Sequence, residues 1–439
     1  MDIETHDDIY VDGAWRPAHS PERIPVVNPA DEETIAFVPD GDAADVDAAV
    51  HAARRAFPDW AHTSPKERAD RLGALAAALE ARQGEIARVI TAENGSPIAE
   101  TAMAAAHAAT QLRYYAGLAD DLAAADIRPN PAASAETLVR REPFGVAALI
   151  VPWNFPLGLI VAKLAPALMA GCTTVVKPAG ETPLDARLLA AAAQEAGLPA
   201  GTLNIVTGGR ATGAALVEHP EVAKVAFTGS TPAGRVIAEA CGRLLRPVTL
   251  ELGGKSAAVL LDDVDLDVFA AALLRVTLRN TGQTCYACTR VVAPAARYRD
   301  IVDLIATVVS EAPQGDPLDP DTVFGPVVSD RQRARVEDYI RIGRDEGARI
   351  VVGGGRPSRL PRGFYVEPTV FASVDAHMRV AQEEIFGPVL TVLPYDGEDE
   401  AVRIANATPY GLGGAVFSAD GERALGVADR LETGNVGVN

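Results

Sequence analysis

Between residues 146 and 241 short β-rich runs alternate with helical ones: 146–151 then 158–170, 173–176 then 183–196, 203–206 then 211–218, and 222–227 then 232–241. A strand, a crossover helix and a second parallel strand close in one hand only. A series of them therefore predicts a doubly wound parallel sheet with helices on both faces. Ligands of such sheets bind beyond the carboxyl ends of the strands. A second set of elements begins near Gly253 and takes in 257–261, 265–280, 290–293, 297–310, 330–345 and 390–394. At 439 residues the chain exceeds the size at which one core stops growing, so two large lobes are expected. The predicted fold class is α/β, with no internal repeat.

Upstream, 43–57, 64–92 and 97–124 carry helical apolar spacing, the last through Met103, Leu112 and Leu122, so the first quarter is expected to be largely helical. Residues 126–140, with Pro129 and Pro131 ahead of the run Ala135-Glu136-Thr137-Leu138-Val139-Arg140, read as an extended arm of the kind that pairs with a partner subunit. The apolar stretch 146–171 imitates a membrane span. Pro152, Asn154, Pro156, Lys163 and Pro166 interrupt it, so a buried strand, a turn and a buried helix fit instead. The acidic start Met1-Asp2-Ile3-Glu4-Thr5-His6-Asp7-Asp8 lacks a basic region and an apolar core, which argues against a signal peptide. A formal net charge of -19 repels nucleic acid and anionic membranes and favours small-molecule chemistry. Cys172, Cys241, Cys285 and Cys288 are too few for a disulfide framework, and a reducing cytoplasm is the expected compartment.

Four places carry chemistry, each with a plainer reading beside it. Cys285 follows Thr281-Gly282-Gln283-Thr284 on a predicted loop, where a thiolate could attack an electrophilic carbon. The plainer reading is a small core residue. Glu251 ends the apolar run Val248-Thr249-Leu250, and apolar surroundings would raise its pKa and suit it to general-base work. A structural ion pair is the alternative. Pro152 and Pro156 bracket Asn154 and would aim its amide at a developing oxyanion; the alternative is a rigid turn with Trp153 and Phe155 in the core. The turn Phe227-Thr228-Gly229-Ser230-Thr231 opens a helix whose N-terminus could take a diphosphate, although it lacks the G-x-G-x-x-G spacing. Lys177 ends a predicted strand at the ligand edge, or is a solvated surface lysine.

The Cys285-Tyr286-Ala287-Cys288 spacing also suits a redox pair, in which a Cys285–Cys288 disulfide would switch activity off. Zinc wants four ligands and Cys172 and Cys241 have no partner spacing, so no metal site is expected.

Taken in order, Pro152-Trp153-Asn154-Phe155-Pro156, Lys177-Pro178-Ala179, Phe227-Thr228-Gly229-Ser230-Thr231, Glu251-Leu252-Gly253-Gly254-Lys255, Gly282-Gln283-Thr284-Cys285 and Glu383-Glu384-Ile385-Phe386-Gly387-Pro388-Val389 resemble the aldehyde dehydrogenase superfamily, from about Tyr10 to Asn439. The resemblance implies an NAD(P)-binding domain over 1–125 and 141–252, an α/β catalytic domain over 253–439, and a small β oligomerisation arm over 126–140. It implies Cys285 as nucleophile, Glu251 as general base, Asn154 with the Cys285 backbone N–H as oxyanion hole, and Lys163 in support. It further implies a cofactor, NAD or NADP, held by Ile150, Val151, Pro152, Trp153, Lys177, Ala179, Gly180, Gly209, Gly213, Phe227, Thr228, Gly229, Ser230, Leu252, Glu384 and Phe386. Within that set Lys177 would reach the adenosine ribose, Gly229 and Ser230 the diphosphate, Glu384 the nicotinamide ribose, and Phe386 and the Leu252 carbonyl the nicotinamide. The implied reaction takes an aldehyde to a carboxylic acid through a thiohemiacetal and a thioester, with Glu251 favouring water over coenzyme A as acyl acceptor.

Two departures bear on these expectations. Where NAD-preferring relatives place a glutamate three residues after the lysine, this chain has Gly180 and then Glu181, which lessens repulsion of a 2′-phosphate. Relatives also continue past Asn439 through a tunnel loop and an oligomerisation strand, so the 126–142 segment is expected to lose a partner here. A homodimer or homotetramer is expected where that strand is present. The rival to an enzyme is a catalytically silent cofactor-binding member with a structural role.

Overall fold

The computed structural model describes residues 4–132 and 135–439. The reading of the first three residues as part of an acidic, non-signal terminus lies outside those bounds, as do Ala133 and Ser134 of the predicted arm. The chain forms two compact units: one comprises the chain up to Val27, Thr34–Glu93 and Thr101–Glu251, the other Asn28–Glu33, Asn94–Glu100 and Leu252–Asn439. The short excursions 28–33 and 94–100 thus group with the C-terminal unit, where the sequence reading drew one boundary near 252.

The first unit is built on a seven-stranded sheet whose strands run, edge to edge, Val248–Glu251, Val222–Thr228, Val146–Ile150, Thr173–Lys177, Leu203–Ile205, Asp8–Val11 and Ala14–Pro17. The first five are parallel, with fully buried runs such as Val146–Ile150 and Thr173–Lys177, as expected of strands covered on both faces. The last two, which lie upstream of the predicted βαβ series, extend the sheet with antiparallel edge strands. Tyr10 pairs antiparallel with Ile205, and Asp8–Val11 turns back on Ala14–Pro17 through Asp12-Gly13, at φ 59° and 75°. That two-residue turn with both φ positive is the Asp-Gly hairpin signal, and it was present in the sequence.

The first quarter is likewise not simply helical. Arg23–Asn28 and Glu33–Pro39 are strands, and helices begin only at Ala43. Ala43–His62 starts with a reciprocal capping box between Asp42 and Asp45, and the predicted 64–92 helix is two, Pro65–Glu80 and Gln83–Asn94. The predicted arm is an antiparallel hairpin, Asp126–Asn130 against Ala135–Val139, with Ile127 and Leu138 exposed.

Behind the sheet Glu93 and Asp185 are both fully buried, and Glu93 accepts the N–H groups of Leu184 and Asp185. Burial and mutual repulsion raise Glu93 well above the carboxylate range, and burial takes Asp185 up to about 8. Between the unfolded value near 4 and the folded value the native state holds protons that the unfolded chain has released, so this pair makes stability fall as pH rises through that window. Asp185→Asn is expected to flatten the fall, read as Tm against pH.

The second unit has its own seven-stranded sheet in the order Arg349–Val352, Thr369–Ala372, Val389–Tyr395, Arg290–Pro294, Ala257–Leu260, Gly413–Phe417, Asn435–Val438. All pairs are parallel except Arg349–Val352 with Thr369–Ala372. Among the described residues no helix is long and apolar enough to cross a membrane.

Candidate active site

Each unit presents its own set of functional side chains. In the first, register aligns the carboxyl ends of neighbouring parallel strands: Ile150 lies opposite Lys177 and Phe227, and Thr228 opposite Glu251. Every residue at these ends therefore reaches the same edge, where a doubly wound sheet binds ligands.

Asn154 lies between the strand ending at Ile150 and helix Pro156–Met169, and proline at the first helical position fixes how the chain enters that helix. Asn154 is 3% exposed while Trp153 and Phe155 are half-buried, so the turn tucks in its amide and not its aromatics. Lys163, two turns along the helix, donates to Thr228 Oγ1 at 2.6 Å. Burial lowers its pKa, and the nearby Glu251 carboxylate partly offsets that.

Lys177 is no solvated surface lysine. It is 7% exposed, and its Nζ donates to Pro178 O at 2.7 Å and Gly208 O at 2.6 Å. Burial brings its pKa down to about 8, against the opposing pull of Glu181 and Asp40. Gly213 packs its backbone against the Lys177 stem, and the Gly209 N–H donates to Asp40 Oδ1 at 2.8 Å. Ala179 and Gly180 are both half-buried, with only Ile24 within reach of a Cβ at 180. Val151 and Pro152 continue the same edge, the Val151 N–H donating to Lys177 O.

At the helix that starts with Thr231, the N–H groups are partly committed. Gly229 N–H donates to Glu251 O at 3.0 Å, Ser230 Oγ accepts from Ala233 N–H, and Pro232 has no N–H. Any Cβ at Gly229 would collide with the Phe227 ring, so glycine is required there for packing. Glu251 ends its strand exposed, not in the apolar surroundings that its sequence context suggested.

In the second unit Cys285 sits on the irregular segment between helix Leu266–Thr277 and strand Arg290–Pro294, half-buried and outside the packed interior. Three consecutive residues, Asn280, Thr281 and Gly282, have φ of 51°, 55° and 72°. For Asn280 and Thr281 this conformation costs energy, and a dense set of bonds holds it. Glu100 accepts from Asn280 N–H at 2.8 Å and from Arg279 Nε at 3.1 Å; Thr281 Oγ1 accepts from Gly325 N–H; Gln283 Oε1 accepts from Val328 N–H at 3.0 Å. Thr284 Oγ1 donates to Arg279 O, and Tyr286 OH accepts from Arg279. These supports escaped the sequence reading because Glu100 is nearly two hundred positions from its partners; its only local mark was a glutamate in a helical run.

The loop Leu252-Gly253-Gly254-Lys255 packs on the same place. A Cβ at Gly254 would strike the Cys285 carbonyl oxygen, and one at Gly253 would strike the Glu384 carboxylate. Gly254 N–H donates to Glu384 Oε1 at 3.1 Å, and burial raises the Glu384 pKa. Phe386 takes φ 66° while Gln332 donates to its carbonyl at 2.8 Å. Leu252 is half-buried. Lys255, quoted as part of a motif but given no role, is fully buried with its pKa brought down to about 7, chiefly by burial.

Cys288 is 3% exposed within the core, and burial pushes its thiol up to about 12. A thiol so reluctant to ionise is a poor resolving partner for Cys285. Cys288 is thus part of the core packing, and its burial weighs against the disulfide switch.

At Gly282 a Cβ would collide with Gly387 O, and φ is unfavourable for any other residue. Gly282→Ala is expected to cut kcat at least about tenfold and lower Tm by several degrees, measured by steady-state rates and thermal melting.

Residues 15–439 match the Aldehyde dehydrogenase family. The chain is 52% identical over 437 residues to a geranial dehydrogenase of Castellaniella defragrans, covering 99% of this chain and 91% of that protein. It is 43% identical to a 3-succinoylsemialdehyde-pyridine dehydrogenase of a Pseudomonas species, covering 100% and 91%. Its fold is similar to a Mycobacterium tuberculosis aldehyde dehydrogenase complexed with NAD+, with a TM-score of 0.97 at 43% identity over 100% of this chain and 91% of that one. A mutant of aldehyde dehydrogenase C from Pseudomonas syringae, complexed with NAD+ and octanal, gives a TM-score of 0.95 at 43% identity, covering 99% and 89%.

Proposed function

Because the chain belongs to the aldehyde dehydrogenase family and is an NAD(P)-dependent enzyme that oxidises an aldehyde, we propose that Cys285 is its nucleophile and Glu251 its general base. One observation carries this most: Gly254, three residues along the chain from Glu251, is a glycine because the Cys285 carbonyl leaves no room for a side chain.

The Cys285 thiolate adds to the aldehyde carbon, the C–S bond forms, and the carbonyl electrons move to oxygen. Asn154 and the Cys285 N–H donate to that oxyanion, and one such donor is worth about 3 kcal/mol. The bound nicotinamide supplies the acceptor for the hydride leaving that carbon. Glu251 then takes a proton from water as its oxygen attacks the thioester, the C–S bond breaks, and thiolate and carboxylic acid are released. Lys163, held on Thr228, supports this end of the sheet.

The residues at the sheet edge fit the cofactor: a buried lysine and small residues at Ala179, Gly180 and Gly229 leave backbone open beside aligned strand ends. Lys177 with Gly209 and Gly213 would hold the adenosine ribose, Ile150 to Trp153 and Phe227 to Ser230 the middle of the dinucleotide, and Leu252, Glu384 and Phe386 the nicotinamide ribose and ring. Gly180, followed by Glu181, lets NADP compete while NAD is favoured. Lys177→Ala is expected to raise the cofactor KM about tenfold or more with a smaller change in kcat; an unchanged KM removes Lys177 from the cofactor set.

The substrate class proposed is a largely apolar aldehyde of medium length, by similarity to the relatives named for geranial and complexed with octanal. Steady-state rates for octanal, geranial, betaine aldehyde and succinic semialdehyde test it: kcat/KM should be highest for the first two, and preference for a charged aldehyde overturns it. We place the enzyme in the cytoplasm as a homodimer or homotetramer, with the exposed Ile127 and Leu138 of the 126–140 hairpin as contacts. Light scattering should show Ile127→Asp with Leu138→Asp shifting mass toward the monomer.

A further inference from the structure

On the first unit, away from the strand ends that carry the functional residues, two imidazoles and two carboxylates converge from separate elements. Asp47 and His51 lie one turn apart on helix Ala43–His62; His219 caps the end of helix Arg210–Glu218, and Glu221 follows it. Asp47 uses both oxygens, Oδ2 facing His51 Nδ1 at 3.0 Å and Oδ1 facing His219 Nε2 at 3.3 Å. Glu221 Oε2 faces the other nitrogen of His51 at 3.3 Å. The rings stand edge to face with centroids 5.9 Å apart, and one ligand atom each from Asp47, His51 and His219 lie within 4.8 Å of one another.

We propose that Asp47, His51 and His219 form a surface site for one divalent transition-metal ion of zinc type, with Glu221 as the carboxylate that orients His51. Two imidazole nitrogens and a carboxylate oxygen are the donor set that zinc and cobalt accept in tetrahedral geometry, with water in the fourth position. A carboxylate accepting the far N–H of a ligating histidine fixes the tautomer that turns the lone pair toward the metal; Glu221 stands where that partner belongs. Rigidity comes from Arg246, whose guanidinium donates to the carbonyls of Val217 and His219 and pins the backbone that carries the second imidazole. The chain's net charge of -19 adds a general attraction for cations.

One local bond opposes binding. Glu221 N–H donates to His219 Nδ1 at 3.2 Å, which leaves the proton on Nε2 in the neutral ring. Metal at Nε2 must move that proton to Nδ1 and forfeit this long bond. The alternative is a set of ion pairs joining the helix to the turn, and metal titration separates the two.

The test uses CoCl2 and ZnCl2 with the full chain in a Cys285→Ala background, so that the reactive thiol does not compete. One Co2+ per chain should bind with the visible absorption of tetrahedral cobalt, Zn2+ should displace it, and Tm should rise by a few degrees. His51→Ala and His219→Ala should each weaken binding at least tenfold, Glu221→Gln should weaken it less, and in the Cys285 form none should alter aldehyde oxidation in metal-free buffer. Absence of saturable one-to-one binding, or affinity unchanged in both histidine variants, overturns the site.

Discussion

Cys285→Ala is expected to lower aldehyde oxidation at least about a thousandfold while leaving NAD+ affinity within a factor of two or three. The first half follows from covalent catalysis, since without the Cys285 sulfur neither thiohemiacetal nor thioester can form there, and the other thiol of the segment, Cys288, is buried with its pKa pushed up to about 12. The second half follows from architecture. The proposed adenosine and diphosphate contacts lie on the first unit, and the loop around residue 285 is held by Glu100, Gly325 and Val328, none of which depends on the thiol. Reduced-nicotinamide absorbance and calorimetric cofactor titration read the two halves separately. Appreciable turnover in the variant would move the nucleophile elsewhere; lost cofactor binding would mean that the loop had collapsed.

Glu251→Gln should give a different failure. Its amide cannot take a proton from water, so acylation proceeds once and deacylation stalls. A burst of reduced cofactor close to one per active chain should precede a steady rate lowered by about two orders of magnitude, within the range for loss of a general base. Intact-mass measurement of the stalled enzyme should show the acyl group on Cys285. A variant with neither burst nor acyl adduct would place Glu251 in the first half of the reaction, and one at full steady rate would remove it from catalysis. The exposed carboxylate at the end of Val248–Glu251 suits exchange with bulk water.

The sequence carried the parallel part of the first sheet, because each short β-rich run from Val146 to Thr228 is followed by a helical period. It carried less before Ala43. Strands such as Ala14–Pro17 and Arg23–Asn28 are exposed or half-buried on most positions, so local pattern gives them no advantage over loop. Even there the Asp12-Gly13 turn was readable. In the second sheet Thr369–Ala372 and Gly413–Phe417 passed unseen because four or five apolar residues have no periodicity of their own.

At the proposed site, Cys285, Glu251 and Asn154 could be singled out from sequence because each is a reactive or polar side chain beside glycines or prolines that mark a turn. Their environments could not, because burial and charge depend on neighbours far along the chain. Glu251 proved exposed, Lys177 buried between two carbonyls, and Cys288 part of the core.

By itself the order of residues determined which reactive and polar groups are available and, for Lys177, Thr228 and Glu251, that they stand at the carboxyl ends of parallel strands, since alternating strands and helices are local rules repeated. Only the tertiary structure decided that Gly254 rests on Cys285, that Glu100 holds the strained turn before it, and that His219 meets Asp47 from 172 positions away. Those contacts arise from packing whole elements against one another, and side-chain volume and charge at that scale leave no mark in the spacing of a single segment.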